Sequence, residues 1–307
     1  MANILILGGN GFIGENLIIE LNKRGEQVIS FDLEVPKFPL SGVKYIQGNF
    51  FDDQILDVIT NNIDIIIHAI STINPGNSNI KYMQGYQLDF IQSIKLCEIV
   101  NKKNIKMIFL SSGGTVYGDQ KVQPIKEDAP TNPINHYGNI KLCIENVIHT
   151  FNKQNATSIK IARIANPYGR GQDFRKGVGF IDAVLKKGIL GQMVEIYGDG
   201  EIVRDYVYIS DVCQMLCSLI EYEGDAEIFN LGTGIGNTQN EIINYVKKWI
   251  PSLEVVYKDS RSVDVPKMIL DNTRITNICN LKLLSLNEGI DFYYHYLKDM
   301  YSEEGII

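Results

Sequence analysis

Two residues in one short segment have side chains that could move a proton. Tyr137 and Lys141 are four positions apart in the pentapeptide YGNIK. Residues at that spacing share one face of a helix, so the phenol and the ammonium can reach a common point. A nearby cation stabilises a phenolate and should lower the pKa of the phenol, which lets a tyrosine act as a general base. The same pattern is common on solvated helix faces, so its meaning depends on its surroundings.

A glycine-rich turn near the start of the chain could hold phosphate groups. Gly8, Gly11 and Gly14 stand in ILILGGNGFIGENLI, between an apolar run and an amphipathic helical pattern. Such glycines permit a tight turn and close approach of the backbone to a pyrophosphate at a helix N-terminus. Asp32 ends the next apolar run, where a carboxylate can accept hydrogen bonds from ribose hydroxyls and repel a 2′-phosphate. The sequence predicts an NAD site, and the alternative is a glycine turn in a fold that has lost its cofactor.

Short apolar runs alternate with helix-length segments in the first half of the chain, and these elements must position the reactive residues. The runs are Asn3 to Leu7, Gln27 to Phe31, Val43 to Ile46, Ile63 to His68, Lys106 to Ser111 and Ser158 to Arg163. Continuous apolar strands joined by helices form parallel sheets that are covered on both faces. We therefore predict an α/β fold with a doubly wound parallel sheet of the Rossmann type, whose ligand-binding edge includes the segment SSGGTVYG.

The alternation of apolar runs and helix-length segments ends after Arg163, where glycine and proline cluster in ANPYGRGQ, KGVGF and YGDGE. We predict an NAD-binding domain over 1–165 and a smaller, discontinuous substrate-binding lobe mainly over 166–307. Part of 205–235 is expected to return to the first domain.

Composition restricts the partners. The formal net charge of -7 argues against nucleic acid and against an anionic membrane surface. The opening run ILIL is too short for a signal peptide or a membrane span. The cysteines lie in apolar stretches without a CxxC motif, which favours reduced, buried thiols in the cytoplasm. Cys213 and Cys217 have no histidine or carboxylate cluster beside them, so we expect no metal site.

Several further motifs accompany these, namely SSGGTVYG, ARIANPYGRGQ, IYGDGEIVRDYVYISDV and FNLGTG. Together with the glycine pattern, Asp32, Tyr137 and Lys141, they resemble the NAD-dependent epimerase/dehydratase branch of the extended short-chain dehydrogenase/reductase family, and within it the UDP-glucose 4-epimerases. The resemblance runs from Asn3 to about Arg274. It implies inversion at C4 of a nucleotide-linked hexose through a transient 4-keto sugar, with Tyr137 as the base. It also implies a homodimer formed through the helices that contain Leu96 and Tyr137.

The resemblance assigns roles to further residues. The residues expected around the dinucleotide, besides the glycines and Asp32, are Phe12, Ile13, Asn49, Phe50, Ala69, Ile70, Ser71 and Ser111. The residues expected around the sugar nucleotide are Asn166, Tyr197, Arg204 and Arg261. Paired arginines suit a diphosphate because each guanidinium offers a planar set of donors and stays charged. Met268 stands where residue size influences whether an N-acetyl group fits beside C2, and it leaves plain and N-acetylated hexoses open.

One position departs from the epimerase pattern. The reactive hydroxyl of that pattern lies four residues before the tyrosine of VYG, and Gly113 occupies this position. Ser112 and Thr115 are the available substitutes, and Thr115 is slightly favoured because the matching family threonine faces the sugar. The departure also leaves a 4-keto reductase open. A 4,6-dehydratase is less favoured, since its acid–base pair would fall on Gly114 and Thr115. A non-catalytic NAD-binding sensor is the alternative of a different class.

Overall fold

A seven-stranded parallel sheet forms the larger part of the protein. The structure, a computed structural model, describes residues 2–155, 157–260 and 265–307. The strands lie in the order β10-β6-β5-β4-β1-β2-β3, and every neighbouring pair is parallel. The strands of this sheet are β1 (Asn3–Leu7), β2 (Gln27–Asp32), β3 (Val43–Gln47), β4 (Ile65–His68), β5 (Lys106–Ser112), β6 (Ile159–Ile164) and β10 (Ile228–Leu231). The predicted doubly wound α/β fold is confirmed.

The strand order explains why the first strand is apolar at every position. Successive strands are added on one side of β1 up to β3 and on its other side from β4 onward, so β1 is central and covered on both faces. Ile4 and Ile6 belong to the hydrophobic cluster on one face, whereas Leu5 and Leu7 belong to the cluster on the other. Side chains alternate between faces along a strand, and here both faces are buried.

Helices cover both faces of the large sheet, and the loops that lead into them lie at its carboxyl edge. They are α1 (Phe12–Lys23), α2 (Asp53–Ile59), α3 (Ser78–Gln84), α4 (Ile91–Lys103), α5 (Gly113–Val116), α6 (His136–Asn155), α7 (Phe180–Ile189), α8 (Ile209–Glu221), α9 (Gln239–Trp249), α10 (Thr273–Thr276) and α11 (Leu286–Glu303). A π-helical turn, Gly85–Phe90, joins α3 to α4, and a 3₁₀ turn spans Phe174–Lys176. Irregular turns of this kind frequently accompany functional sites.

The second half of the chain builds two small sheets over the carboxyl edge. Their strands are β7 (Asn166–Tyr168), β8 (Val194–Tyr197), β9 (Val203–Tyr208), β11 (Gly236–Thr238), β12 (Val255–Lys258) and β13 (Lys267–Met268). Strand β9 pairs with β7, β11 and β13, and β12 pairs with β8. Helices α7, α9 and α11 enclose a third hydrophobic cluster with these strands.

One strand of the large sheet was not among the predicted apolar runs, although part of 205–235, where it lies, was expected to return to the first domain. Strand β10 comes from the second half of the chain and pairs with β6 at the edge of the sheet. It has four residues and no preceding strand–helix rhythm, so no local pattern set it apart. The domain limits at 165 and 166 remain a prediction.

Two further features concern the helices and the cysteines. Among the described residues, no helix combines the length and the apolar character needed to cross a bilayer. Cys97, Cys213, Cys217 and Cys279 are buried free thiols, and Cys143 is half-buried.

Candidate active site

The loop between β1 and α1 has the geometry of a phosphate cradle. Gly8 adopts φ +89°, a conformation that side chains disfavour. A β-carbon on Gly14 would overlap the Gly8 carbonyl oxygen, so this glycine lets α1 approach the loop closely. Gly11 precedes the first residue of α1, and among the residues that the structure describes no side chain caps that helix end. Backbone N–H groups at the start of α1 are therefore left for an anionic ligand.

The carboxylate of Asp32 lies beside this loop. It accepts hydrogen bonds from the Asn10 backbone N–H at 2.9 Å and from the Leu33 N–H at 2.7 Å. Phe12 and Ile13, in the first turn of α1, are half-buried and pack against the adjoining core. The acidic group is thus brought next to the glycine turn, as the sequence predicted.

The segment after β4 closes the loop from the other side. A β-carbon on Gly8 would lie 3.1 Å from Ile70 Cγ1 and 3.3 Å from the Ala69 carbonyl carbon. Ser71 donates to Asp89 Oδ2 at 2.8 Å, and the Thr72 N–H donates to both carboxylate oxygens of Asp89. Asp89 lies in the π-helical turn and was not singled out from sequence, because nothing local marks its distant partners.

Asn49 and Phe50 follow β3 but differ in exposure. Asn49 is exposed and its side-chain oxygen accepts the Phe51 N–H at 3.1 Å. The Phe50 ring is buried, with its centroid 5.1 Å from that of His68, so this side chain belongs to the core. The Phe50 carbonyl oxygen accepts a 2.9 Å hydrogen bond from the Gln92 amide, and the contact of Phe50 with the adenine stays a prediction.

Tyr137 and Lys141 lie in the first turns of α6, beside the end of β5. The Lys141 Nζ atom lies 5.6 Å from the centre of the Tyr137 ring and 4.7 Å from that of Phe109. Lys141 is 4% exposed and donates a 2.9 Å hydrogen bond to the Leu110 carbonyl oxygen. The structure therefore brings the predicted pair together and holds the ammonium in one position.

Burial changes the proton affinity of both groups. It lowers the pKa of Lys141 to about 8, while the Asp89 and Glu145 carboxylates act in the opposite direction. Burial raises the pKa of the Tyr137 phenol, and the Asp89 carboxylate adds to that rise. The sequence predicted that Lys141 would lower the pKa of the Tyr137 phenol. This lowering is not found, because loss of hydration and the Asp89 charge outweigh the effect of the Lys141 cation.

A buried ion pair supports the same region. Glu145, one helical turn after Lys141, lies 2.6 Å from Arg163 of β6. The Ser111 hydroxyl donates to Glu145 Oε1, which ties the end of β5 to α6, and its contact with the nicotinamide stays a prediction. A buried charge pair with further hydrogen bonds holds its members in one arrangement. Neither Glu145 nor Arg163 was singled out from sequence.

The four-residue helix α5 carries the departure from the epimerase pattern. Ser112 occupies the N-cap position, makes no capping hydrogen bond with its side chain to the described residues, and is half-buried. The buried Thr115 Oγ1 atom has no hydrogen-bond partner within the described part of the chain. A β-carbon on Gly138 would lie 2.5 Å from the Thr115 carbonyl oxygen and 3.0 Å from Thr115 Cβ. Thr115 therefore packs directly against the residue that follows Tyr137.

A cavity of about 460 Å³ lies in the smaller lobe, and its lining residues come from the second half of the chain. Three predicted substrate-site residues, Asn166, Tyr197 and Arg204, are among those that line it. The Asn166 amide donates to the Asp205 carbonyl oxygen at 3.1 Å, and an Arg204 Nη1 atom donates to the Val203 carbonyl oxygen at 2.9 Å. The remaining one, Arg261, lies outside the described residues.

Met268 is buried and pairs with Arg204 in the register of β13 and β9. Its backbone is thus fixed beside a residue that lines the cavity. The influence of its side chain on the choice of sugar stays a prediction.

Comparison with known proteins shows which family this chain matches. The model of the NAD dependent epimerase/dehydratase family matches residues 4–232. UDP-glucose 4-epimerase of Halalkalibacterium halodurans is 32% identical over 266 residues, which cover 80% of this chain and 79% of that protein. dTDP-4-dehydro-6-deoxyglucose reductase of Escherichia coli is 31% identical over 307 residues, covering 94% and 95% of the two chains.

A solved structure is similar over almost the whole length. UDP-glucose 4-epimerase of Thermotoga maritima, determined with UDP-glucose, has a TM-score of 0.91 and 31% identity, covering 97% of this chain and 99% of that one. The family resemblance and the NAD cofactor that the sequence predicted are confirmed. With a match that includes the glycine loop, Asp32, Tyr137 and Lys141, this chain belongs to the NAD dependent epimerase/dehydratase family.

Proposed function

We propose that the protein is an NAD-dependent nucleotide-sugar epimerase that inverts C4 of a UDP-hexose through a transient 4-keto sugar. Membership of the epimerase/dehydratase family supports this, as does similarity to UDP-glucose 4-epimerases in sequence and in fold. The observation that carries the proposal is the grouping of Thr115, Tyr137 and Lys141 at the carboxyl edge of the sheet.

The glycine loop fits NAD because it has the tight turn and the uncapped helix end that a pyrophosphate requires. When bound, NAD supplies a hydride acceptor for the sugar carbon and later returns the hydride. In our proposal, Gly8, Gly11 and Gly14 approach the phosphates and Asp32 accepts the ribose hydroxyls. The remaining predicted contacts around the dinucleotide are Phe12, Ile13, Asn49, Phe50, Ala69, Ile70, Ser71 and Ser111.

Tyr137 would take the proton of the sugar hydroxyl, and Lys141 would stabilise the phenolate that results. The hydrogen bond from Lys141 to Leu110 keeps the cation near the ring. Thr115 would bond the same sugar hydroxyl, since its own hydroxyl has no partner in the described segments of the chain and its residue packs against Gly138, next to Tyr137. Ser112 remains the second candidate for this contact.

The nucleotide diphosphate would occupy the cavity of the smaller lobe. Arg204 and Arg261 would hold the phosphates, Tyr197 would line the base, and Asn166 would contact the sugar or its phosphate. Asn166 is suited to this because its Oδ1 atom lies 3.9 Å from the β-carbon position of Gly114, on the helix that carries Thr115.

A 4-keto reductase is the second candidate, because the E. coli relative bears that activity in its name. A 4,6-dehydratase is disfavoured, since Gly114 and Thr115 provide no acid–base pair. In the sensor alternative, NAD would bind without any conversion of a sugar nucleotide.

We also propose a homodimer formed through α4 and α6. Exposed apolar side chains lie on the neighbouring α3 and at the start of α4, among them Ile80, Met83 and Ile91. Apolar patches of this kind mark association surfaces.

The cytoplasmic location remains a prediction from the cysteine content.

Proton NMR of the purified protein with NAD and UDP-glucose, then UDP-N-acetylglucosamine, tests the epimerase. The anomeric signal of the C4 epimer should appear, and Tyr137→Phe should abolish it while leaving NAD bound. If both sugars stay unchanged with NAD demonstrably bound, the UDP-hexose epimerase is refuted. Reduction of a 4-keto sugar nucleotide by NADH, without epimerisation, would establish the reductase instead.

A further inference from the structure

The side chain of Leu270 occupies the space that a side chain at position 113 would need. A β-carbon built on Gly113 would overlap Leu270 Cδ1 and would lie 3.2 Å from Cδ2 and 3.3 Å from the Arg163 carbonyl oxygen. The overlapping atom is a terminal methyl of Leu270, so relief of the overlap requires a different rotamer or a shift of this side chain within its packed surroundings.

Leu270 has little freedom to move. It is 0% exposed and belongs to the main hydrophobic cluster. Its backbone N–H donates to Asp205 Oδ2 at 3.3 Å. Two backbone hydrogen bonds of 2.8 Å join Ile125 to the residues on either side of Leu270, Ile269 and Asp271. In a close-packed interior that is anchored in this way, displacement of a leucine is costly.

The neighbouring positions of α5 differ from position 113. A β-carbon on Gly114 would meet no atom closer than 3.9 Å, so that position faces open space beside Asn166. Thr115 is buried against Gly138, next to Tyr137, and its hydroxyl has no partner in the residues that the structure describes. Of positions 113, 114 and 115, the last carries a hydroxyl, and its residue packs against Gly138, the neighbour of Tyr137 in the chain.

We propose that Leu270 is a positioning residue whose side chain closes the place of the missing hydroxyl at Gly113 and thereby assigns the sugar contact to Thr115. Leu270 and Gly113 form a coupled pair in which a large residue at one position requires a glycine at the other. The catalytic part of this inference rests on the proposed function, whereas the packing part does not.

The packing part is tested by the unfolding free energies of the NAD-bound protein in urea. The variants are Gly113→Ser, Leu270→Ala and the double variant. Each single change should destabilise the protein, the first by overlap and the second by a cavity. The loss of unfolding free energy in the double variant should be smaller than the sum of the two single losses, because the serine fills the space left by the leucine. Leu56→Ala combined with Gly113→Ser is the control, since buried Leu56 lies in the cluster on the other face of the sheet and should be additive.

The catalytic part is tested by adding Thr115→Val to the wild type and to the double variant, with kcat and KM for UDP-glucose as readouts. In the wild type, kcat should fall about 100-fold or more while KM changes little. In the double variant, the new serine hydroxyl can replace the threonine, so the fall in kcat should be less than about tenfold. If Gly113→Ser or the double variant unfolds, Gly113→Ala with Leu270→Ala gives the same packing comparison.

Additive unfolding free energies for Gly113 and Leu270 would overturn the coupled pair. Equal losses of kcat in the two backgrounds would overturn the assignment of the sugar contact by Leu270. A wild-type protein that turns over no UDP-hexose would refute the proposed function, and the unfolding measurements would still decide the packing pair.

Discussion

Lys141 donates a 2.9 Å hydrogen bond to the carbonyl oxygen of Leu110, the residue that precedes the Ser111–Glu145 contact. This ammonium is buried, and its pKa in the folded chain falls from 10.5 to about 8. The fold therefore holds a charge at neutral pH that would be more stable in water.

Lys141→Met should consequently stabilise the fold while it impairs turnover. The folded protein binds this proton more weakly than the unfolded chain, so below pH 8 the charge disfavours folding by up to about 3 kcal/mol. This penalty shrinks as the pH rises from about 8 to 10.5 and the folded protein loses the proton first. Urea unfolding of both proteins at pH 7 and pH 10, at matched NAD content, measures it. A variant that is less stable than wild type at pH 7 would contradict the prediction.

Thr115→Val should lower kcat by a factor of about 10² to 10⁴ and leave KM within a few-fold, because it removes a hydroxyl that acts on the reacting group. Thr115→Ser should retain most of the turnover. Ser78→Ala is a matched control, since Ser78 Oγ is likewise buried and without a partner among the described residues, but it lies at the start of α3. An equal loss of kcat in Ser78→Ala would show that the effect comes from packing.

Asp32→Ser should shift the cofactor preference toward NADP. The carboxylate repels a 2′-phosphate, and its removal should lower the Kd for NADP about tenfold or more, which corresponds to about 1.4 kcal/mol. Binding of NAD should weaken, because the ribose hydroxyls lose an acceptor. Titration with both nucleotides measures the ratio. Asp64→Ser is the control, because Asp64 also accepts a backbone N–H, that of Asn3, but lies at the opposite edge of the sheet. An unchanged ratio in Asp32→Ser would place the ribose elsewhere.

Glu145→Ala should destabilise the protein by about 3–5 kcal/mol, because it leaves the Arg163 charge buried without its partner. Both side chains of this pair are almost fully buried, at 3% and 4% exposure. Glu223→Ala, which breaks the exposed pair with Lys106, should cost less than about 1 kcal/mol. Urea unfolding of both variants gives the comparison, and similar losses would mean that Glu145 and Arg163 contribute no more than a surface pair.

Local patterns in the sequence were sufficient for six of the seven strands of the large sheet and for the dinucleotide loop. Apolar runs of strand length predicted β1 to β6 to within two residues at each end, because strands buried on both faces are apolar throughout. The glycine spacing and Asp32 were likewise recognisable in the sequence, because a phosphate-binding turn restricts the types of neighbouring residues in one segment. Strand β10 was missed, since its place at the sheet edge depends on a partner far away in sequence.

The sequence by itself determined which groups are available: the glycines, Asp32, Tyr137, Lys141, and a glycine in place of the usual hydroxyl at position 113. Only the tertiary structure decided how they are used. It joined Ser111 to Glu145, set Asp89 beneath the loop after β4, and placed Leu270 against Gly113. These contacts link residues from separate elements through close packing, and packing of this kind depends on the three-dimensional course of the whole chain rather than on any local spacing.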